Sequence, residues 1–202
     1  MQSELGNGRA IVIGGSLAGI LAARVLADFF GRVTVLERDS LPADPVARKG
    51  VPQGRHAHAL LGKGRAILEA FLPGLGDALM AQGAASGSGR FFSGGGYFVK
   101  NDAIPPALFV SRPCLEQEVR RRVLALPNVE LIDGCDVLGL SAGPEREQVT
   151  GVRILRRQPG AAEELLVGAL TVDASGRGSR IGAWRPCIQG CSRPGRRGRR
   201  DG

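Results

Sequence analysis

Ala10-Ile11-Val12-Ile13 is a continuous apolar run ended by glycines, the pattern of a short strand buried on both faces. A helix is predicted from about Leu17 to Phe29, with Gly31 placed to end it. Arg32-Val33-Thr34-Val35-Leu36-Glu37 reads as the second strand. Strand, glycine turn, helix and strand within about 30 residues make a βαβ unit, whose crossover is expected to be right-handed.

Prolines at 42, 45 and 52 mark Leu41 to Gln53 as a loop, and Ala57 to Leu72 is predicted helical until Pro73-Gly74 stops it. Ser86 to Gly96 is rich in glycine and serine. Tyr97-Phe98-Val99 and Ala107 to Val110 are short strands flanking Pro105-Pro106, expected in a second sheet. Ser111 is placed to cap a helix on which Leu115, Val119, Val123 and Leu126 form one apolar face. Strands are predicted at Val129 to Ile132 and Asp136 to Leu140, then at Val149 to Arg156 and Glu164 to Val167 around the Pro159-Gly160 turn. Ala169 to Ala174 leads into a second glycine-rich turn, Ser175 to Ser179. There is no repeat of the solenoid kind.

The turn after the first strand carries the first chemical signal. Gly14-Gly15-Ser16-Leu17-Ala18-Gly19 fills a G-x-G-x-x-G slot, with serine where the second glycine is usual. Gly14 allows the sharp turn, Gly19 lets the helix approach the sheet, and the helix N-terminus offers unpaired N–H groups to a pyrophosphate. The Ser16 hydroxyl could donate one more hydrogen bond. Glu37, 23 positions after Gly14, ends the second strand, where its carboxylate can accept hydrogen bonds from both ribose hydroxyls of an adenosine and would repel a 2′-phosphate. Strand, turn, helix and acid together predict dinucleotide binding outside the carboxyl ends of the parallel strands. The alternative is a tight turn without a ligand, with Glu37 an ordinary solvated strand end.

Composition changes this picture little. With 43% hydrophobic and 23% charged residues, the 202-residue chain is globular in character. Its net charge of +8 invites a nucleic-acid reading, but six arginines against Asp201 place five of those charges after Trp184, leaving about +3 for the body. Cys114, Cys135, Cys187 and Cys191 have no framework spacing, so free thiols and a cytoplasmic location are expected. Ala10 to Phe30 is apolar, yet Arg24, Asp28 and the glycine break argue against stable membrane insertion. His56 and His58 have no acidic or cysteine partners at ligand spacing, and no metal site is expected.

Three segments, Ala10 to Asp39, Lys49 to Leu61, and Ser111-Arg112-Pro113 through Leu124 with the Asp173-to-Arg180 turn, resemble the superfamily of FAD-dependent monooxygenases and oxidoreductases that includes the aromatic hydroxylases and geranylgeranyl reductases. The specific segment is Arg48-Lys49-Gly50-Val51-Pro52-Gln53-Gly54-Arg55-His56-Ala57-His58. The resemblance implies FAD as cofactor, with Gly14, Gly15, Ser16 and Gly19 at the pyrophosphate and Glu37 with Arg38 at the adenosine ribose. It places Arg112 near the cofactor phosphates or ribityl chain, and Arg55 or His56 beside flavin or substrate. It sets the turn at Gly176 along the middle of the dinucleotide, where Ser175 replaces the family's usual acid and Asp173 lies two residues upstream. The implied fold is a three-layer α/β, Rossmann-like FAD domain formed by residues 1–85 and 111–184, with residues 86–110 beginning an inserted substrate-domain sheet. The implied chemistry is hydride transfer from NAD(P)H to flavin, followed by oxygen activation or alkene reduction on a small organic molecule. No residue identifies the substrate, and none stands out as a catalytic acid or base.

After Trp184 the pattern breaks. Residues 185–202 hold six arginines, four glycines, two cysteines and two prolines, with Ile188 the one large aliphatic. This change, with 24 arginines against three lysines in the whole chain, predicts a frameshifted or C-terminally truncated, inactive product ending in a disordered tail. The competing function is a non-catalytic basic protein that binds nucleic acid through that tail, but no nucleic-acid motif accompanies it and no such partner is expected.

Overall fold

The computed structural model describes residues 6–46, 58–87, 92–97, 99, 105–145 and 148–184. The chain runs β1 (Arg9–Ile13), α1 (Leu17–Leu26), β2 (Arg32–Leu36), β3 (Ala59–Leu60), α2 (Gly62–Phe71), α3 (Leu75–Ala81), β4 (Ala85–Gly87), β5 (Phe92–Ser93), β6 (Gly96–Tyr97) and β7 (Ala107–Phe109). There follow α4 (Arg112–Leu124), β8 (Val129–Ile132), β9 (Cys135–Ala142), β10 (Val149–Arg156), β11 (Glu163–Val167), β12 (Leu170–Asp173), a 3-10 turn (Gly176–Gly178) and α5 (Ile181–Trp184).

The organising element is a four-stranded parallel sheet in the order β12-β1-β2-β8. Successive side chains of a strand face opposite ways, so each strand feeds two cores. Ala10, Val12, Val33, Val35 and Val129 face the helices, where they meet Ile20, Ala23, Leu115, Val119 and Val123. Ile11, Ile13 and Leu36 face the antiparallel sheet β11-β10-β9 and pack on Cys135, Leu140, Val152, Ile154 and Trp184. Helices, parallel sheet and antiparallel sheet are the three layers expected from sequence, and the double-sided core explains why these strands are apolar without alternation.

Ser111 caps α4 by accepting the Cys114 N–H at 3.3 Å. Of the expected apolar face, Leu115, Val119 and Val123 are buried on α4, whereas Leu126 lies past the helix end and is half-buried; Glu116 and Glu118 are buried as well, which the apolar spacing does not indicate. α1 stops at Leu26, earlier than Phe29, because Asn128 Nδ2 donates to the Ala27 and Phe30 carbonyls and ends the helix from outside.

The predicted Ala57-to-Leu72 helix is corrected. Ala59 and Leu60 form an edge strand paired with Phe109 and Leu108, and the helix starts only at Gly62. A short apolar run suits either state, and pairing with β7 decides it. Pro73-Gly74 breaks the chain as expected, but α3, which was not foreseen, follows at once. Glu69 supplies the missing start signal, its carboxylate accepting the Gly74 N–H at 2.5 Å and the Gly76 N–H at 3.0 Å. β3-β7-β4 is a second small sheet, as expected for the Ala107 region, and it joins β3, which precedes the 86–110 interval, to β4 and β7 at the interval's two ends. Among the described residues no helix is long and apolar enough to cross a membrane.

Candidate functional site

The parallel ladder continues one residue past its strands, and this brings their carboxyl ends to one place. The Gly14 N–H donates to the Leu36 carbonyl at 2.7 Å, the Glu37 N–H to Ile132 at 2.9 Å, and the Ala174 N–H to Ile13 at 2.8 Å. Over these ends opens a cleft of about 760 Å³, inside the range that small-molecule and cofactor sites occupy. Its lining joins Gly14 and Ser16 after β1, Glu37 and Arg38 after β2, Cys135 to Leu138 on β9, and Ser175 to Gly178 after β12, with Trp184 at the side.

The turn after β1 has no room for side chains. Gly14 has φ +107°, and a Cβ on it would lie 2.7 Å from the Ala174 carbonyl oxygen. A Cβ on Gly19 would lie 1.8 Å from the Gly14 carbonyl oxygen, so α1 can begin this close to the sheet only with glycine there. Ser16 is the N-cap of α1, but its side chain makes no capping bond. The N-terminus of α1 therefore presents its first-turn N–H groups and the positive end of its dipole without a side-chain cap.

Glu37 is braced rather than loose. Its Oε2 accepts the Gly15 N–H at 2.7 Å and its Oε1 the Asp39 N–H at 3.0 Å. Arg38 is largely exposed and lies 3.4 Å from Asp39. At the far end of the cleft Arg157 pairs with Asp136 through two bonds of 2.7 and 2.8 Å, which holds the Asp136 carboxyl below its ordinary range. Burial pushes the Cys135 thiol up to about 11, so this cleft-lining cysteine stays protonated at neutral pH.

Asp173 organises the second glycine turn. Its carboxylate accepts the Ser175 N–H at 2.9 Å and the hydroxyls of Ser175 and Ser179 at 2.5 Å each. Burial alone would raise this carboxyl; the bonds from Ser175 and Ser179 outweigh burial and hold it below the ordinary aspartate range. Sequence reasoning noted Asp173 only as an acid two residues from the expected place. The signal that finds its role is Asp-x-Ser-x-x-x-Ser, an acid followed by hydroxyls within reach of one turn.

Of the residues singled out in the sequence, Gly14, Ser16, Glu37, Arg38 and Gly176 line one cleft, with Gly15 and Gly19 in the turn beside it. Arg112 is not part of the lining. It starts α4 and donates from Nε to Glu116 Oε1 at 2.8 Å, and the Ser16 hydroxyl donates to the same oxygen at 3.1 Å. Glu116, which sequence reasoning missed, thus ties Arg112 to the glycine turn. His58 stands before β3; burial, then the Arg112 charge, lower its pKa. Arg55, His56 and the tail with Cys187 and Cys191 lie outside the described residues, whereas Cys114 and Cys135 are free thiols.

No family model matches the chain. Protein Rv3254 of Mycobacterium tuberculosis is 38% identical to it over 203 residues, spanning 91% of this chain and 41% of that protein. Among solved structures, the myxobacterial chondrochloren halogenase CndH, a variant of FAD-dependent halogenases, superposes with a TM-score of 0.64 at 23% identity, over 87% of this chain and 38% of its own. The p-nitrophenol 4-monooxygenase PnpA of Pseudomonas putida gives 0.64 at 21% identity, over 89% and 43%. PqsL of Pseudomonas aeruginosa, a probable FAD-dependent monooxygenase, gives 0.64 at 19% identity, over 94% and 48%. The chain has the fold shared by these three structures and spans less than half the length of each.

Proposed function

We propose that this chain is the FAD-binding portion of a flavin-dependent oxidoreductase of the monooxygenase type, one that uses NAD(P)H and oxygen on a small organic substrate. One observation carries the reading: a single cleft at the carboxyl ends of a parallel sheet joins an uncapped helix N-terminus behind Gly14, an acid at the end of β2, and a second glycine turn after β12. In doubly wound α/β folds this is where dinucleotides bind. The likeness to PnpA, a p-nitrophenol 4-monooxygenase, and to PqsL, a probable FAD-dependent monooxygenase, supports the monooxygenase class.

The residues present fit the cofactor. The first-turn N–H groups of α1 would hold the pyrophosphate, since the Ser16 side chain does not cap them and Gly14 carries no side chain over the turn. Glu37 would accept the ribose hydroxyls through its carboxylate. Arg38 and the β9 strand from Cys135 to Leu138 would flank the adenine, and the turn held by Asp173 would carry the middle of the dinucleotide. When bound, FAD supplies hydride acceptance from a nicotinamide and, once reduced, oxygen activation. The chain's own contribution is to bind, orient and shield that group.

Titration of the full chain with FAD tests this directly. Trp184 is the single tryptophan and lines the cleft, so its fluorescence reports occupancy. Saturable quenching by FAD, weaker quenching by FMN, and competition by ADP are expected. Equal affinity for FMN, or no saturable quenching by FAD, would overturn the reading.

A further inference from the structure

Among the described residues two α-helices have a serine N-cap, Ser16 and Ser111, and only one of the two caps. Ser111 accepts the Cys114 N–H of α4 at 3.3 Å. Ser16 has the same extended N-cap backbone, φ −80° and ψ 178°, yet makes no side-chain bond to α1. Its hydroxyl instead donates to Glu116 Oε1 at 3.1 Å, across 100 residues of sequence. Glu116 is 7% exposed, and Arg112, itself 15% exposed, donates to the same oxygen at 2.8 Å. The one proton of the hydroxyl goes to the Glu116 carboxylate, which only accepts; the Ser16 oxygen keeps its lone pairs but, held in this rotamer, takes no bond from its own helix.

A capping oxygen and a phosphate oxygen compete for the same first-turn N–H groups. We propose that Glu116 is a positioning residue: by holding the Ser16 hydroxyl it keeps the N-terminus of α1 open to the cofactor pyrophosphate, while Arg112 neutralises its buried charge. The proposal rests on the FAD reading above. It reassigns the Ser16 hydroxyl, which the sequence offers as a phosphate donor, to a strut between the glycine turn and α4.

The test compares Glu116→Ala, Glu116→Gln and the double variant Ser16→Ala/Glu116→Ala in the full chain, by titrating ADP, FAD and adenosine against Trp184 fluorescence. Glu116→Ala frees the hydroxyl to cap α1, which weakens ADP and FAD by about fivefold, the scale of one N-cap bond, and leaves adenosine unchanged. Amide exchange at Ala18 and Gly19 slows in the same variant. Glu116→Gln keeps an acceptor oxygen and retains most of the affinity. The double variant has no hydroxyl to cap with and recovers affinity, which a purely structural role for Glu116 would not permit. If Glu116→Ala fails to fold, Glu116→Leu fills the volume and is read against its own double variant with Ser16→Ala. Equal losses for adenosine and ADP, or a double variant as weak as the single one, overturn the proposal. A parent chain that binds neither FAD nor ADP overturns the FAD reading itself, whereas parental affinity in Glu116→Ala overturns only the positioning role.

Discussion

Glu37 at the end of β2 holds Gly15, 22 residues earlier in the turn after β1, through a 2.7 Å bond from the Gly15 N–H to its Oε2. The acid expected to face a ribose is therefore also part of the turn expected to face the phosphates. Packing reinforces the link, because a Cβ on Gly15 would stand 3.0 Å from the Glu37 Cβ. The two halves of the proposed adenosine diphosphate site are held in one geometry.

Glu37→Ala removes this brace together with a charged acceptor for ribose. It is expected to weaken FAD by about 1–3 kcal/mol, the scale of losing hydrogen bonds to a charged group. Arg38→Ala should cost less, since Arg38 is mostly solvated. Parallel titrations of the two variants measure the difference, and an unchanged affinity in Glu37→Ala would move the adenosine site elsewhere.

Gly14→Val places a branched side chain at φ +107°, against the Ala174 carbonyl. The backbone conformation alone costs about 1–3 kcal/mol, and the contact forces β12 away from β1. Thermal melting should fall clearly and saturable FAD binding should vanish. A variant that melts and binds like the parent would contradict the placement of this turn.

Asp173→Ala leaves Ser175 and Ser179 without the carboxylate that gathers them. We expect about 1–3 kcal/mol lower stability and weaker FAD binding, with the circular dichroism spectrum preserved. Because its folded pKa is depressed, the Asp173 contribution is present above the ordinary aspartate range and fades as pH falls. The parent should therefore lose stability on acidification more steeply than the variant.

Glu118 is 3% exposed and receives bonds from Arg121, Arg122 and Gln82, which together hold its carboxyl at about 2. Arg121 is the largest cause, and burial opposes it. With the folded value below the unfolded one, this stabilisation is complete above about pH 4.5 and is lost progressively as pH falls toward 2. Glu118→Ala should lower stability by about 1–3 kcal/mol at neutral pH, the scale of losing hydrogen bonds to a charged group, since Arg121 is largely solvated and Arg122 keeps the Pro73 and Gly74 carbonyls. Melting curves between pH 6 and 3 compare the slopes, and equal slopes in variant and parent would refute this account.

Much of the architecture is written locally. A continuous apolar run states that a strand is covered on both sides, glycine at 14 states where the chain must turn, and the spacing of Leu115, Val119 and Val123 states which face of α4 enters the core. These properties depend on backbone sterics and on the period of one element, so one stretch of sequence suffices to read them. Part of the cleft lining is legible for the same reason: Gly14 and Glu37 sit at strand ends that the pattern itself marks, whereas Gly176, three residues past β12, enters through the family resemblance.

What the tertiary structure decided are the partnerships between elements. Ala59–Leu60 became a strand because β7 offered an edge, α3 began where it did because Glu69 reached its first N–H groups, and α1 ended where Asn128 took its carbonyls. The strut from Ser16 to Glu116 and Arg112 belongs to the same class. A buried polar group must find a partner, but which one it finds depends on which surfaces pack together, and no period or local propensity in a single stretch encodes that distance.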